Sequence, residues 1–90
     1  KLDELASLII KEQVVIMGPS AWNEAQQVEG LSIDVSRNEA YIAGSRKEVL
    51  EKLVLQYEQL FGQASREVCR EAVRPFLSQV ALEEVPEVLR

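Results

Sequence analysis

The sequence predicts an α+β domain of about four helices with a single β-hairpin between the second and third. The order is α-α-β-β-α-α with a short helical tail. Three observations lead there. Apolar residues recur at helical spacing through residues 2–28 and again from Val49 onward. Between them the period drops to two, in "LSIDV" and "AYIAG". Glycines stand where one pattern gives way to the next. Ninety residues make one small domain with a modest core. Because the chain opens at Lys1 without Met, residues 1–90 are expected to be a single domain cut from a longer protein.

The first helix opens with Asp3 and Glu4 at its positive end. Leu2, Leu5, Ala6 and Ile9 form its stripe, flanked by Leu8 and Ile10. Val14–Met17, "VVIM", is rich in β-branched residues and admits a strand or a helix. The expectation is that it continues the first helix and that Gly18 ends it, with Pro19 opening the next. In "SAWNEAQQV", Ala21, Trp22, Ala25 and Val28 share one face of a second helix, stopped by Gly30.

Leu31–Ala43 reads as a hairpin, with Leu31, Ile33 and Val35 on one face and Asn38 in the turn. "SRKE", Ser45–Glu48, is a capping box for a third helix. Val49, Leu50, Leu53, Val54, Tyr57, Leu60 and Phe61 form its stripe, Leu55 lies opposite, and Gly62 ends it. Ala64, Val68, Cys69, Ala72, Val73 and Phe76 mark a fourth helix, broken or kinked at Pro75. In the tail, Pro86 permits only short pieces.

The first half echoes the second at an offset of 44 residues. Leu5, Ile9, Ile10, Ile16, Met17, Gly18, Ala25 and Val28 fall on Val49, Leu53, Val54, Leu60, Phe61, Gly62, Cys69 and Ala72. Two copies of a helix–glycine–helix unit would give this pattern. So would any two amphipathic helices aligned on their glycines, and the sequence leaves both open.

Composition narrows the function. No apolar run approaches the roughly 18 residues of a membrane span, and no secretory leader is visible. The single Cys69 fits a reducing compartment, so a cytoplasmic setting is expected. The chain has no His, which removes the usual general base, zinc ligand and triad imidazole. Glu12, Asp34 and Glu39 show no paired spacing, and Glu83, Glu84 and Glu87 lack the pattern of a calcium loop. No catalytic residue, cofactor site or metal site is therefore expected. Arg66, Arg70 and Arg74 share a helix face, but Glu67 and Glu71 at i,i+3 make it a solvated charge lattice. Cys69 and Trp22 sit at core spacing and are expected to be structural.

The stretch from Val14 to Leu53 has the cadence strand, glycine turn, helix, two strands, glycine, helix, and so resembles a KH domain. The resemblance implies a nucleic-acid binder that clamps backbones with a GXXG loop. The matching residues here read Gly18-Pro19-Ser20-Ala21, without the second glycine. No Lys or Arg lies between Lys11 and Arg37, and the net charge is −5.

The remaining signal is the first helix. Its apolar arc exceeds half the circumference, against the stripe of roughly 100° that one core contact needs. Either it is sandwiched inside the domain, or it also meets a second chain. The second option makes Leu8, Val15, Ile10 and Val14 the candidate partner interface, with Leu5, Ile9 and Ile16 facing the core. The expected function is a non-enzymatic protein-interaction or self-association module of a cytoplasmic regulatory protein, a dimer by default. The partner is another protein or a second copy, with no nucleic acid and no membrane. The alternative is a degenerate KH-like nucleic-acid binder.

Overall fold

The computed structural model describes residues 2–90 and has the expected order of elements. Helix α1 spans Leu2–Met17 and runs unbroken through "VVIM". Gly18 then turns at φ +74° and donates its N–H to the Val14 carbonyl at 2.8 Å. Strand preference at Val14–Ile16 is weak and context-dependent, whereas a left-handed glycine and a following proline fix a stop and a start. The strand that the KH-like cadence required at this place is thus a helix.

Helix α2 is Ser20–Ala25, shorter than expected. Gln27 and Val28 bond back three residues, to Glu24 and Ala25, and this tightening ends the helix before Val28. Strand β1 (Leu31–Asp34) pairs antiparallel with β2 (Glu39–Ile42), Leu31 opposite Ile42. The turn carries Asn38 at φ +54°, and its first residues are fastened by the Asp34 carboxylate, which accepts from Ser36 Oγ at 2.7 Å. Gly30, at φ +90°, sits where a Cβ would lie 2.8 Å from Val49 Cγ2, so the hairpin can approach the next helix only without a side chain there.

A two-stranded ribbon has two open edges, and α1 closes one of them. Ser7 Oγ accepts the Ala40 N–H at 2.9 Å, and Asp3 Oδ1 accepts the Ile42 N–H at 3.3 Å. These side chains take the place of a third strand for the outward N–H groups of β2.

Helix α3 (Arg46–Phe61) starts at Ser45, whose hydroxyl accepts the Glu48 N–H at 3.4 Å. Only this half of the capping box is formed. After Gly62 (φ +76°) the chain enters α4, Gln63–Val73. Pro75 cannot continue an α-helix, and the chain tightens into a 3-10 turn over Arg74–Gln79. Two more such turns follow, at Leu82–Glu84 and Glu87–Leu89. The tail is more than a solvated appendage, because Val85 and Leu89 are buried and close the core. Arg90 pins it by donating to the Leu82 carbonyl at 2.7 Å and the Val85 carbonyl at 3.1 Å.

The breadth of the α1 arc has an internal cause. This helix packs on α2, α3, α4 and β2 at once, so Leu2, Leu5, Ala6, Ile9 and Ile10 are buried against different neighbours. Burying each Leu or Ile contributes about 1.5–3 kcal/mol relative to exposure. Of the two explanations for the arc, sandwiching accounts for everything up to Gln13.

The echo at 44 residues is carried into the structure. Helices α1 and α3 have equal lengths of 16 residues and matching bounds, Leu2–Met17 against Arg46–Phe61. The buried positions Leu5, Ala6, Ile9, Ile10 and Gln13 match Val49, Leu50, Leu53, Val54 and Tyr57. The next helices match as well, with Ala21 and Ala25 buried like Ser65 and Cys69. Gln13 Nε2 donates to the Ser65 carbonyl at 3.3 Å, and Tyr57 Oη donates to the Ala21 carbonyl at 2.7 Å. Each unit's long helix thus bonds the other unit's short helix, the pattern of a two-fold related contact. The units part company afterwards, one continuing into the hairpin and the other into 3-10 turns.

Candidate interaction surface

All four residues predicted for the interface lie on α1, and the structure gives them unequal exposure. Ile10 is fully buried and cannot meet a partner without unfolding. Leu8 is half-buried beside Phe76 and Val80, in the middle of α1. Val14 is also half-buried against the core. Val15 alone is fully presented, at 81% exposure. Leu8 and Val15 stand seven residues apart on one face of α1, but Leu8 is half-buried where Val15 is exposed. Leu8 belongs to the wall of an open groove of about 500 Å³ between α1 and β2, shared with Lys11, Tyr41 and Phe76.

A different set of residues comes together around Val15. Gln13 of α1 touches the start of α4, and Tyr57 of α3 touches the start of α2. Since each short helix follows directly on a long one, these two bonds tie the last turns of each long helix to the element that follows the other. There Ile16 is 51% exposed and Leu60 and Phe61 are each 47% exposed. Ile16 stands seven residues after the buried Ile9, and Leu60 seven after the buried Leu53, so both are in phase with the core stripe. The stripe overshoots the core by one turn in both units. The expectation that Ile16 faces the core has the direction right and the extent wrong, because no element covers that turn. Sequence periodicity cannot tell a buried stripe from one that outlasts its neighbours. The offset that pairs Ile16 with Leu60 was the one available signal.

The charge distribution marks the same place. No charged residue occurs from Gln13 to Asn23 or from Gln59 to Ser65, although 28% of the chain is charged. Glu58, which borders the second stretch, is paired with Arg66 at 2.7 Å. The exposed helix ends are thus apolar, with exposed Gln59, Gln63 and Ser20 in the same uncharged stretches and exposed Lys11 and Glu12 one turn before Val15 and Ile16.

The other candidates resolve as structure. Arg70 and Arg74 pair with Glu67 and Glu71 at 3.3 and 3.1 Å, as the lattice requires. Arg66 instead bridges to α3, and Arg70 also donates to the Arg90 carbonyl at 2.6 Å. Cys69 is buried, and burial pushes its thiol up to about 11, against a smaller opposing effect of the Gln13 amide at 3.4 Å. A thiol so placed is a poor nucleophile near neutrality. Trp22 is half-buried against the core. The Ser36 hydroxyl, with the Arg37 N–H, holds the exposed Asp34 carboxyl below its usual range, which is a turn fastening. Among the described residues no three His, Cys, Asp or Glu side chains gather as a metal site would need. No helix among them is long and apolar enough to cross a membrane. No protein-family model matches the chain, and comparison with curated proteins and with solved structures returns no significant match.

Proposed function

We propose that this chain is a non-enzymatic protein-docking module of a cytoplasmic regulatory protein, and that it docks through the uncharged ends of α1 and α3. One observation carries the reading: the core stripe continues for a further turn in both long helices and leaves Ile16 and Leu60 exposed, with their sequence neighbours Val15 and Phe61 exposed as well. Large apolar side chains grouped on a surface, rimmed by neutral polar ones, are the mark of a site that meets another protein. The absence of His and the buried, protonated Cys69 favour binding over catalysis. A single cysteine, which cannot form a disulfide within the chain, accords with a cytoplasmic setting. Nucleic acid is not the expected partner, because the two stretches offered carry no cation of their own and the chain's net charge is −5.

The test is a photoreactive residue placed at position 15 or 61 in the expressing cell, with exposed Glu51 as the control position. The reading expects covalent protein adducts from 15 and 61 and none from 51. No adducts, or equal adducts from all three positions, would contradict it.

A further inference from the structure

We infer that α4 and the tail behind it, residues 63–90, swing away from α1 and α3 as one unit about Gly62, ahead of any unfolding of the rest. The device is a latch built into the fold, and it stands or falls independently of the docking reading.

Of the three long helices, α4 is the most weakly anchored. Helix α1 buries Leu2, Leu5, Ile9 and Ile10, and α3 buries Leu50, Leu53, Val54 and Tyr57. Helix α4 buries Ser65, Cys69 and Val73, and of these only Val73 is a branched aliphatic side chain. Local stability follows buried apolar contact, so the element with the least of it opens first.

The polar atoms point to the same helix. Among the described residues, the buried side-chain nitrogens and oxygens without a hydrogen-bond partner are Gln13 Oε1, Ser65 Oγ, Arg66 Nε and Arg70 Nε. All belong to α4 or to the α1 side chain that meets it. Such groups give up water when the contact closes and regain it when the contact opens, so each works against closure. Gln13 stands at the centre. Its Nε2 reaches the Ser65 carbonyl at 3.3 Å and Cys69 Sγ at 3.4 Å, both long. Its own Oε1 and the Ser65 hydroxyl stay unmet in a place where both residues are almost wholly buried.

The chain on either side suits a moving unit. Gly62 sits at φ +76° and ψ −160° with open space where a Cβ would lie, so nothing packs against the joint. At the other end the tail is bound to α4 itself. Its last 3-10 turn packs on that helix, and Arg70 Nη2 donates to the Arg90 carbonyl at 2.6 Å. Holding the unit shut are the partly exposed Arg66–Glu58 pair and the half-buried Phe76 and Val80 beside Leu5 and Leu8. Opening therefore breaks few strong contacts, bares the seam of α1 and α3 beneath α4, and hands Cys69 to solvent.

The experiment follows labelling of Cys69 by dithiodipyridine, a neutral thiol reagent, in the full chain across a urea series, beside the global unfolding curve. Labelling should need less free energy than global unfolding and should fall with urea along a shallower slope, because less surface is exposed. Ser65→Ala removes an unmet hydroxyl from the closed state and should slow labelling ~5-fold. Gly30→Ala weakens the hairpin, which stays folded in the open form, so it should leave labelling without urea unchanged while lowering global stability. Labelling along the full global slope would overturn the inference, as would acceleration by Gly30→Ala in step with the global loss. Unchanged or faster labelling in Ser65→Ala would overturn the role given to the unmet polar atoms.

Discussion

Gln13 and Tyr57 hold the same place in two helices of equal length, and each donates a hydrogen bond to a carbonyl in the first turn of the helix that follows the other. The pair is chemically unequal. Tyr57 Oη makes its single short bond and its ring is fully buried. Gln13 makes longer bonds, and its Oε1 is buried without a partner. The two bonds fasten α1 to the start of α4 and α3 to the start of α2, next to the turns that end the two long helices.

Substitution should expose this inequality. Tyr57→Phe removes the better bond and is expected to cost ~1 kcal/mol. Gln13→Met keeps volume and removes an unsatisfied acceptor, so it should be nearly neutral or slightly stabilising. Urea denaturation of the two variants decides it. An equal or larger loss for Gln13→Met would show that Oε1 is satisfied and the account of the pair is wrong.

The glycines should separate by mechanism. Gly62→Ala meets open space but sits at φ +76° and ψ −160°, a region almost reserved for glycine, and should cost on the order of 1–3 kcal/mol. Gly18→Ala also meets open space and carries only the positive-φ strain, about 1–2 kcal/mol. Gly30→Ala carries the same strain and adds a Cβ 2.8 Å from Val49 Cγ2 and 3.0 Å from the Ala43 carbonyl, so it should be the most destabilising. Thermal melts of the three variants give the order. Equal losses would mean that the hairpin can shift away from α3 at little cost.

Stability should fall on the alkaline side. The Cys69 thiol is raised from 9.0 to about 11 by burial, so the folded state keeps a proton that the unfolded state releases. Protection is complete below pH 9 and is lost as pH rises through 11. The loss is on the order of 2–3 kcal/mol. Burial also raises Tyr57, which steepens the decline above pH 10. Cys69→Ala should flatten the pH 9–11 portion and cost little at neutrality, whereas Cys69→Asp should unfold the chain by burying an unpaired carboxylate. Denaturation midpoints across this range are the measurement. An unchanged slope in Cys69→Ala would assign the decline elsewhere.

Local chemistry made most of the fold legible. Gly18-Pro19, Ser45 and the period-two run at Leu31–Val35 each encode a boundary within a few residues, and the structure follows them. The tail was less legible because Val85 and Leu89 are isolated apolar residues among acids, and only tertiary contact buries them. The candidate surface was half legible. Val15 stands out because it lies off the stripe, whereas Ile16, Leu60 and Phe61 lie on it and look like core. Ile10 was misplaced for the converse reason, since the number of elements around α1 is set by topology rather than by periodicity.

A scan of the photoreactive residue along α1 and α3 in the expressing cell tests the docking face most directly. The account predicts protein adducts confined to positions 15, 16, 60 and 61, with none from Leu8, the hairpin or the tail. Adducts centred on Leu8 and the α1–β2 groove, or spread evenly over the chain, would contradict it.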